Sequence, residues 1–299
     1  MISLRKVALR PYALLPRQYD ERKVLASTVD AWGRALWLIC PEAELVSNPH
    51  GRARPEPPKY PFDALLVIND AGSVEERTIR SVALLPTRVD ALPNGRLILY
   101  GYRGARNAQI FGRDGRPRIG FDMGAAVDLM MADRRNNLWS GYFDEGIFSD
   151  PISAPGLVRW DSGGNGLWDY RPPEGAPHIA DIEALNVVDG AAWAVYWPRS
   201  PLLHAHANGR IRVRGTPVGS PRGLAVQGDR ALFLGGGASR CRDRLSHCRM
   251  TDDEVVVVEE AVATMPNGSP LPNYRRPVGR GPNLYLHGKT TKQWYVLSV

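Results

Sequence analysis

The chain has 299 residues, is 43% hydrophobic and carries a formal net charge of +7. This length and apolar content exclude a disordered chain and suffice for a sizeable core. No run approaches the roughly 20 apolar residues of a membrane-spanning helix, and Met1-Ile2-Ser3-Leu4-Arg5-Lys6 lacks a signal-peptide stretch, so a soluble cytoplasmic protein that engages no membrane is expected.

Helical periodicity is nearly absent, and short β-rich runs alternate with Gly, Asn, Asp and Pro punctuation. Residues 3–14 read as a lone apolar strand. Further strands are predicted at 35–40, 64–68, 96–102, 108–112, 137–142, 156–161, 191–197, 210–214, 230–234, 254–259, 275–279, 283–287 and 293–298. Asn94-Gly95, Asp114-Gly115, Asn165-Gly166, Asn208-Gly209 and Asn267-Gly268 supply hairpin turns, because these residues tolerate positive φ. Three long insertions interrupt the pattern. They span 41–61, with Arg54; 143–155, with Phe143, Asp144, Glu145 and Phe148; and 235–253, with Cys241 and Cys248.

One phrase recurs: Val29-Asp30-Ala31, Val89-Asp90-Ala91, Val127-Asp128-Leu129 and Ile182-Glu183-Ala184. With the insertions set aside, its spacing is about 40 residues with roughly four strands per unit, the signature of a propeller. The expected fold is all-β, a single-domain six-bladed β-propeller over 1–299, with seven blades as the alternative. The blades run about 22–81, 82–123, 124–178, 179–219, 220–270 and 271–299. The last offers only three strands, so residues 3–14 are expected to complete it and remove an open sheet edge. Period and strand order resemble six-bladed propellers of the SMP-30/NHL-like group. Trp160-Asp161 and Trp168-Asp169 do not recur once per blade, as a WD-repeat protein would require. The resemblance implies a ligand face bearing the loops between second and third strands, and a calcium-dependent lactonase or esterase as one activity.

All three insertions are expected on that face, where loops on a rigid scaffold carry recognition. Asp30, Asp90, Asp128 and Glu183 are expected at one height around the central channel, with Leu224 and Pro277 in the corresponding places of the last two units. Close carboxylates repel one another, which a divalent cation such as calcium would relieve. Arginine pairing by Arg88, Arg222 and Arg275, or backbone amides, would relieve it too. The 143–148 segment either presents Asp144 or Glu145 over the mouth or plugs it with Phe143 and Phe148. His204 and His206 share a strand face but show no third metal ligand. Cys40 reads as a buried hydrophobe, whereas Cys241 and Cys248 are either bonded or free. The favoured reading is a binding or scaffold propeller for a protein or small ligand, with Asp144, Glu145, Phe143, Phe148, Arg54, Arg88 and Arg222 as contacts. The alternative is a metal-dependent hydrolase with Asp30, Asp90, Asp128 and Glu183 near the metal. Dispersed arginines without an aromatic-basic strip argue against nucleic acid.

Overall fold

The computed structural model describes residues 4–41, 61–102, 104–236, 241–273 and 276–299. Strands β1 (Arg5–Ala8) and β2 (Arg10–Leu14) come first. Five consecutive antiparallel meanders follow. They are β3 (Lys23–Val29), β4 (Ala35–Cys40), β5 (Phe62–Asp70) and β6 (Ser73–Val82); β7 (Pro86–Ala91), β8 (Leu97–Gly101), β9 (Ala108–Phe111) and β10 (Pro117–Phe121); β11 (Val127–Ala132), β12 (Asn137–Tyr142), β13 (Leu157–Asp161) and β14 (Gly166–Asp169); β15 (Asp181–Val188), β16 (Ala191–Trp197), β17 (Leu202–Ala205) and β18 (Ile211–Arg214); and β19 (Gly223–Gln227), β20 (Arg230–Leu234), β21 (Arg244–Met250) and β22 (Val255–Thr264). The last strands are β23 (Val278–Arg280), β24 (Asn283–His287) and β25 (Gln293–Ser298).

This is the architecture of a β-propeller. The first strands of successive units lie side by side from β3 through β7, β11, β15 and β19 to β23. Apolar side chains fill the wedges between units, each fully buried Leu or Val contributing about 1.5–3 kcal/mol. Leu36, Leu38, Val89 and Leu99 join the first two units, and Trp37, Tyr285 and Trp294 join the last to the first. The ring therefore closes through side chains as well as backbone.

The N-terminal segment divides its pairing. β2 pairs antiparallel with β25, Arg10 opposite Val296 and Leu14 opposite Gln293, which is the expected closure. β1 pairs parallel with β22 and adds an outer strand to the preceding sheet, a clasp not expected from the sequence.

The 41–61 and 143–155 insertions connect second to third strands, as expected. The third is shorter than predicted: β21 occupies Arg244–Met250, so the connection is 235–243. Arg, His and Cys disguise β21, yet it buries Leu245 on one face and Cys248 and Met250 on the other. Cys40 is buried, as expected of a small hydrophobe, and Cys241 and Cys248 are not joined to each other.

At the centre β23 crowds against its neighbours. Asn186 of β15 pairs with Gly279, and a Cβ on Gly279 would stand 2.2 Å from the Leu224 carbonyl oxygen and 2.9 Å from that of Leu185. Both obstacles are backbone. Gly279→Ala is expected to lower stability by about 2 kcal/mol or more through overpacking, read as a lower urea midpoint; an unchanged midpoint would show that the centre can yield.

Candidate functional site

Three first hairpins share one backbone bond: Asp30, Leu92 and Asp133 each donate N–H to the carbonyl four residues on, at Arg34, Arg96 and Asn137. These positions are therefore equivalent. Five residues earlier, Leu25, Thr87 and Asp128 each sit at a register shift, and Glu183 occupies the corresponding shift in β15. This frame corrects the expected acid ring, which had one height. Asp30 and Asp90 lie at the far end of their strands, near the first hairpin turns. Asp128 and Glu183 lie at the near end, on the face of the second-to-third-strand loops. The recurrent phrase aligned residues that bulges place at different levels.

Asp30 is fully buried and closes its own turn. Oδ1 accepts the N–H groups of Trp32 and Arg34, both at 2.9 Å, and Oδ2 accepts Arg34 Nε at 2.8 Å. Asp133 caps its hairpin likewise, accepting from Arg135 and Asn137, so Asp133 is the true counterpart of Asp30.

Asp90, fully buried, accepts Ala91 N–H at 2.8 Å and Ala132 N–H at 2.7 Å, and pairs with Arg280 at 2.5 Å. Arg280 also donates to the Val29 and Ala132 carbonyls at 3.0 and 2.7 Å. This side chain bolts the last unit to the first three across the centre. Desolvation pushes the Asp90 carboxyl up to about 6 despite the adjacent guanidinium.

The near end is a charged mouth. Asp128 accepts from Arg88 at 3.2 Å and from Arg276 at 2.8 Å. Arg88 also donates to the carbonyls of Asp128 and Thr87, both at 2.9 Å, and Arg276 donates to the Glu183 carbonyl at 2.7 Å. Thr28, Thr87, Arg88, Asp128, Arg276 and Trp294 are among the residues lining a cavity of about 290 Å³ here. Beside it, Glu183 Oε2 and Asp181 Oδ1 are buried without hydrogen-bond partners. Desolvation raises the Asp181 carboxyl to about 6, with Asp128, Asp144 and Glu183 adding to the rise and Arg276 opposing it.

The 143–148 segment forms a short helical turn, α1 (Asp144–Ile147), beside the mouth. Phe143 N–H bonds the Ala126 carbonyl at 3.0 Å, and Tyr102 donates to Glu145 at 2.5 Å. Gly146 and Ile147 are buried, whereas Phe148 is 74% exposed, so Phe148 does not plug the channel. Phe143 is half-exposed and Asp144 exposed.

Arg222, expected to face the acids, is exposed and makes no ion pair with a described residue. Arg54 and Arg275 lie outside the described residues. Leu224 is buried, and Pro277 lines the mouth cavity. His204 stacks between Trp193 and His206, at 3.5 and 3.6 Å between ring centroids, and burial pushes it down to about 3. Among the described residues no three His, Cys, Asp or Glu side chains converge to hold a metal ion, so the metal set implied by the resemblance does not fit as a ring. Asp181 and Arg276 were missed: neither belongs to the recurrent phrase.

No protein-family model matches the chain, and no curated protein matches it. Among solved structures it is similar to a catalytically inactive virginiamycin B lyase from Staphylococcus aureus, at 13% identity and a TM-score of 0.50, covering 97% of this chain and 99% of that one. It is also similar to Hsv2 from Kluyvelomyces marxianus, at 9% identity and a TM-score of 0.53, covering 93% and 72%. These likenesses concern the fold alone. The neighbours are propeller-type proteins. No helix among the described residues is long and apolar enough to cross a membrane.

Proposed function

We propose that the chain is a six-bladed binding propeller, a single cytoplasmic domain, that takes a protein or small ligand on the face bearing loops 41–61, 143–155 and 235–243. The observation that carries this reading is the half-open Arg88–Asp128–Arg276 cluster at the floor of a cavity on that face. Arg88 and Arg276 keep 34% and 26% of their side-chain surface exposed, so both can turn donors toward a ligand. Phe143 and Asp144 supply an apolar and an acidic contact at the rim. Affinity capture from the native extract tests it. Arg88→Ala and Asp128→Asn are expected to cut a captured species at least tenfold while the melting temperature moves by only a few degrees, since part-exposed pairs contribute little to stability. Capture that survives both substitutions would overturn the reading.

The buried, unpartnered oxygens of Asp181 and Glu183 favour a second reading, a metal-dependent hydrolase at the same mouth. Asp30 and Asp90 do not serve it, because their oxygens are already bonded at the other end of the channel. Calcium is expected to raise the melting temperature, and a chelator to reverse the rise, if Asp128 and Glu183 take part. An identical melt with calcium and with chelator removes this reading.

A further inference from the structure

We propose that His204 and His206 form a two-imidazole clamp for one divalent transition-metal ion of the copper(II) or nickel(II) class, apart from the charged mouth. His204 lies in β17 and His206 directly follows it, so both side chains leave the same face of the fourth meander. Residues i and i+2 of a strand lie about 6.5–7 Å apart, a span that two imidazoles can bridge around one ion. The pair sits toward the end away from the mouth. Ala205 opposes Ala192 beside the first hairpin turn, whereas Asp181 and Trp197 mark the mouth end.

The two rings are already in contact, with centroids 3.6 Å apart and planes tilted by 36°. Trp193 holds His204 from the other side, nearly parallel at 3.5 Å and 13°. The turn fixes the His206 backbone: its N–H donates to the Arg210 carbonyl at 2.8 Å, and its carbonyl accepts Gly209 N–H at 2.9 Å. Both imidazoles are half-buried. None of their four nitrogens bonds a described residue, and none is sealed from solvent. Their lone pairs are therefore unspent and reachable. Metal–nitrogen bonds of about 2.0–2.1 Å at a right angle put imidazole centroids about 4.5 Å apart. His206, at the free end of the stack, reaches that spacing by swinging outward about an ångström.

Donor chemistry selects the ion. Imidazole nitrogen suits copper, nickel and zinc, with copper(II) the tightest, whereas calcium and magnesium take oxygen. The surroundings set the strength. Two protein ligands leave the other coordination positions to water, and nearby arginines oppose a dication. Arg212 stands opposite His204 across the strands, but Asp252 pairs with it at 2.6 Å. Arg214 is turned to the Trp193 ring and the Thr251 carbonyl. Arg210 is exposed, acts on His206 and makes no ion pair with a described residue, so it is the main uncompensated repulsion.

The test is titration calorimetry of the full chain with copper(II) chloride and with nickel(II) chloride at low ionic strength, beside calcium chloride. Copper and nickel are expected to bind in the micromolar range, and electron spin resonance of the copper-loaded chain to show two coordinated nitrogens. His206→Ala and His204→Gln are each expected to weaken that binding at least tenfold. His206→Ala decides if His204→Gln does not fold. Neither change is expected to alter the response to calcium, which separates this clamp from a metal at the mouth. His178→Asn and Cys241→Ser, which remove an exposed imidazole and the one thiol that is not buried, are expected to leave copper and nickel binding unchanged. Arg210→Ala is expected to tighten it at least twofold, because a like charge is removed. The site is overturned if neither ion binds below millimolar concentration, if His206→Ala binds like the parent, or if His178→Asn or Cys241→Ser loses as much.

Discussion

Asp90→Ala is expected to destabilise the protein by about 3–5 kcal/mol, the usual cost of stranding a buried charge. The stranded group is Arg280, whose guanidinium would keep its bonds to Val29 and Ala132 but lose its only carboxylate among the described residues. Ala132 N–H would lose its acceptor as well. Urea unfolding reads the loss; a change below about 1 kcal/mol would mean that water replaces the carboxylate. Asp90→Leu combined with Arg280→Met separates the pair from its attraction. It is expected to cost less than the two single changes added together, because two apolar groups need no counter-charge. Additive losses would show that Asp90 and Arg280 act independently.

The same pair sets a pH dependence. Asp90 titrates near 6 in the folded chain, above the usual value of 3.8. Between those values the folded state holds a proton that the unfolded state has released. Stability therefore falls as pH rises from about 4 to about 6, and the contribution is flat outside that window. Asp181 shifts the same way but is half-buried, so solvent screens it more strongly. In an Asp181→Asn background, adding Asp90→Asn is expected to flatten the remaining slope across this window. A slope that persists would assign it to other carboxylates.

The repeat was legible because its cues are local. Asn-Gly and Asp-Gly turns mark hairpins, and each meander needs an alternating apolar face. Level around the channel was not legible from the apolar-acid-apolar phrase. It depends on the bulges beside Asp128 and Glu183, which the phrase does not encode. A better ruler was present: Asp30, Asp133 and Asp161 each accept backbone N–H groups two and four residues on, a turn that can be read as Asp followed four residues later by Arg or Asn. Counting back from Asp30 and Asp133 places the mouth at Leu25 and Asp128, not at Asp30 and Asp90. The partner of Asp90 had no local signal, since Arg280 is 190 residues away on a three-residue strand. Likewise, nothing in Asp181-Ile182-Glu183 announces that Arg276 will reach it from the far end of the chain.

Asn186→Ala is the second large effect, expected at about 2–4 kcal/mol. Asn186 is fully buried where three first strands meet. Its Nδ2 donates to the Leu224 carbonyl at 3.0 Å and the Gly281 carbonyl at 2.9 Å, and its Oδ1 accepts Gly281 N–H at 3.0 Å. Alanine removes all three bonds and leaves Gly281 N–H buried without an acceptor, which alone costs about 1–3 kcal/mol. The Gly281 carbonyl still accepts Val226 N–H at 2.7 Å, so the damage should concentrate on the donor. Asn186→Asp sharpens the test: it keeps the acceptor for Gly281 but turns an oxygen toward two carbonyls. At neutral pH it should therefore cost at least as much as alanine, and acid should restore part of the loss, because a protonated carboxyl can donate again. Hydrogen exchange at Gly281 and Val226 locates the effect. Faster exchange at both amides, with outer strands unchanged, would show that Asn186 clamps the centre. Uniformly faster exchange would instead make it one more contributor to global stability.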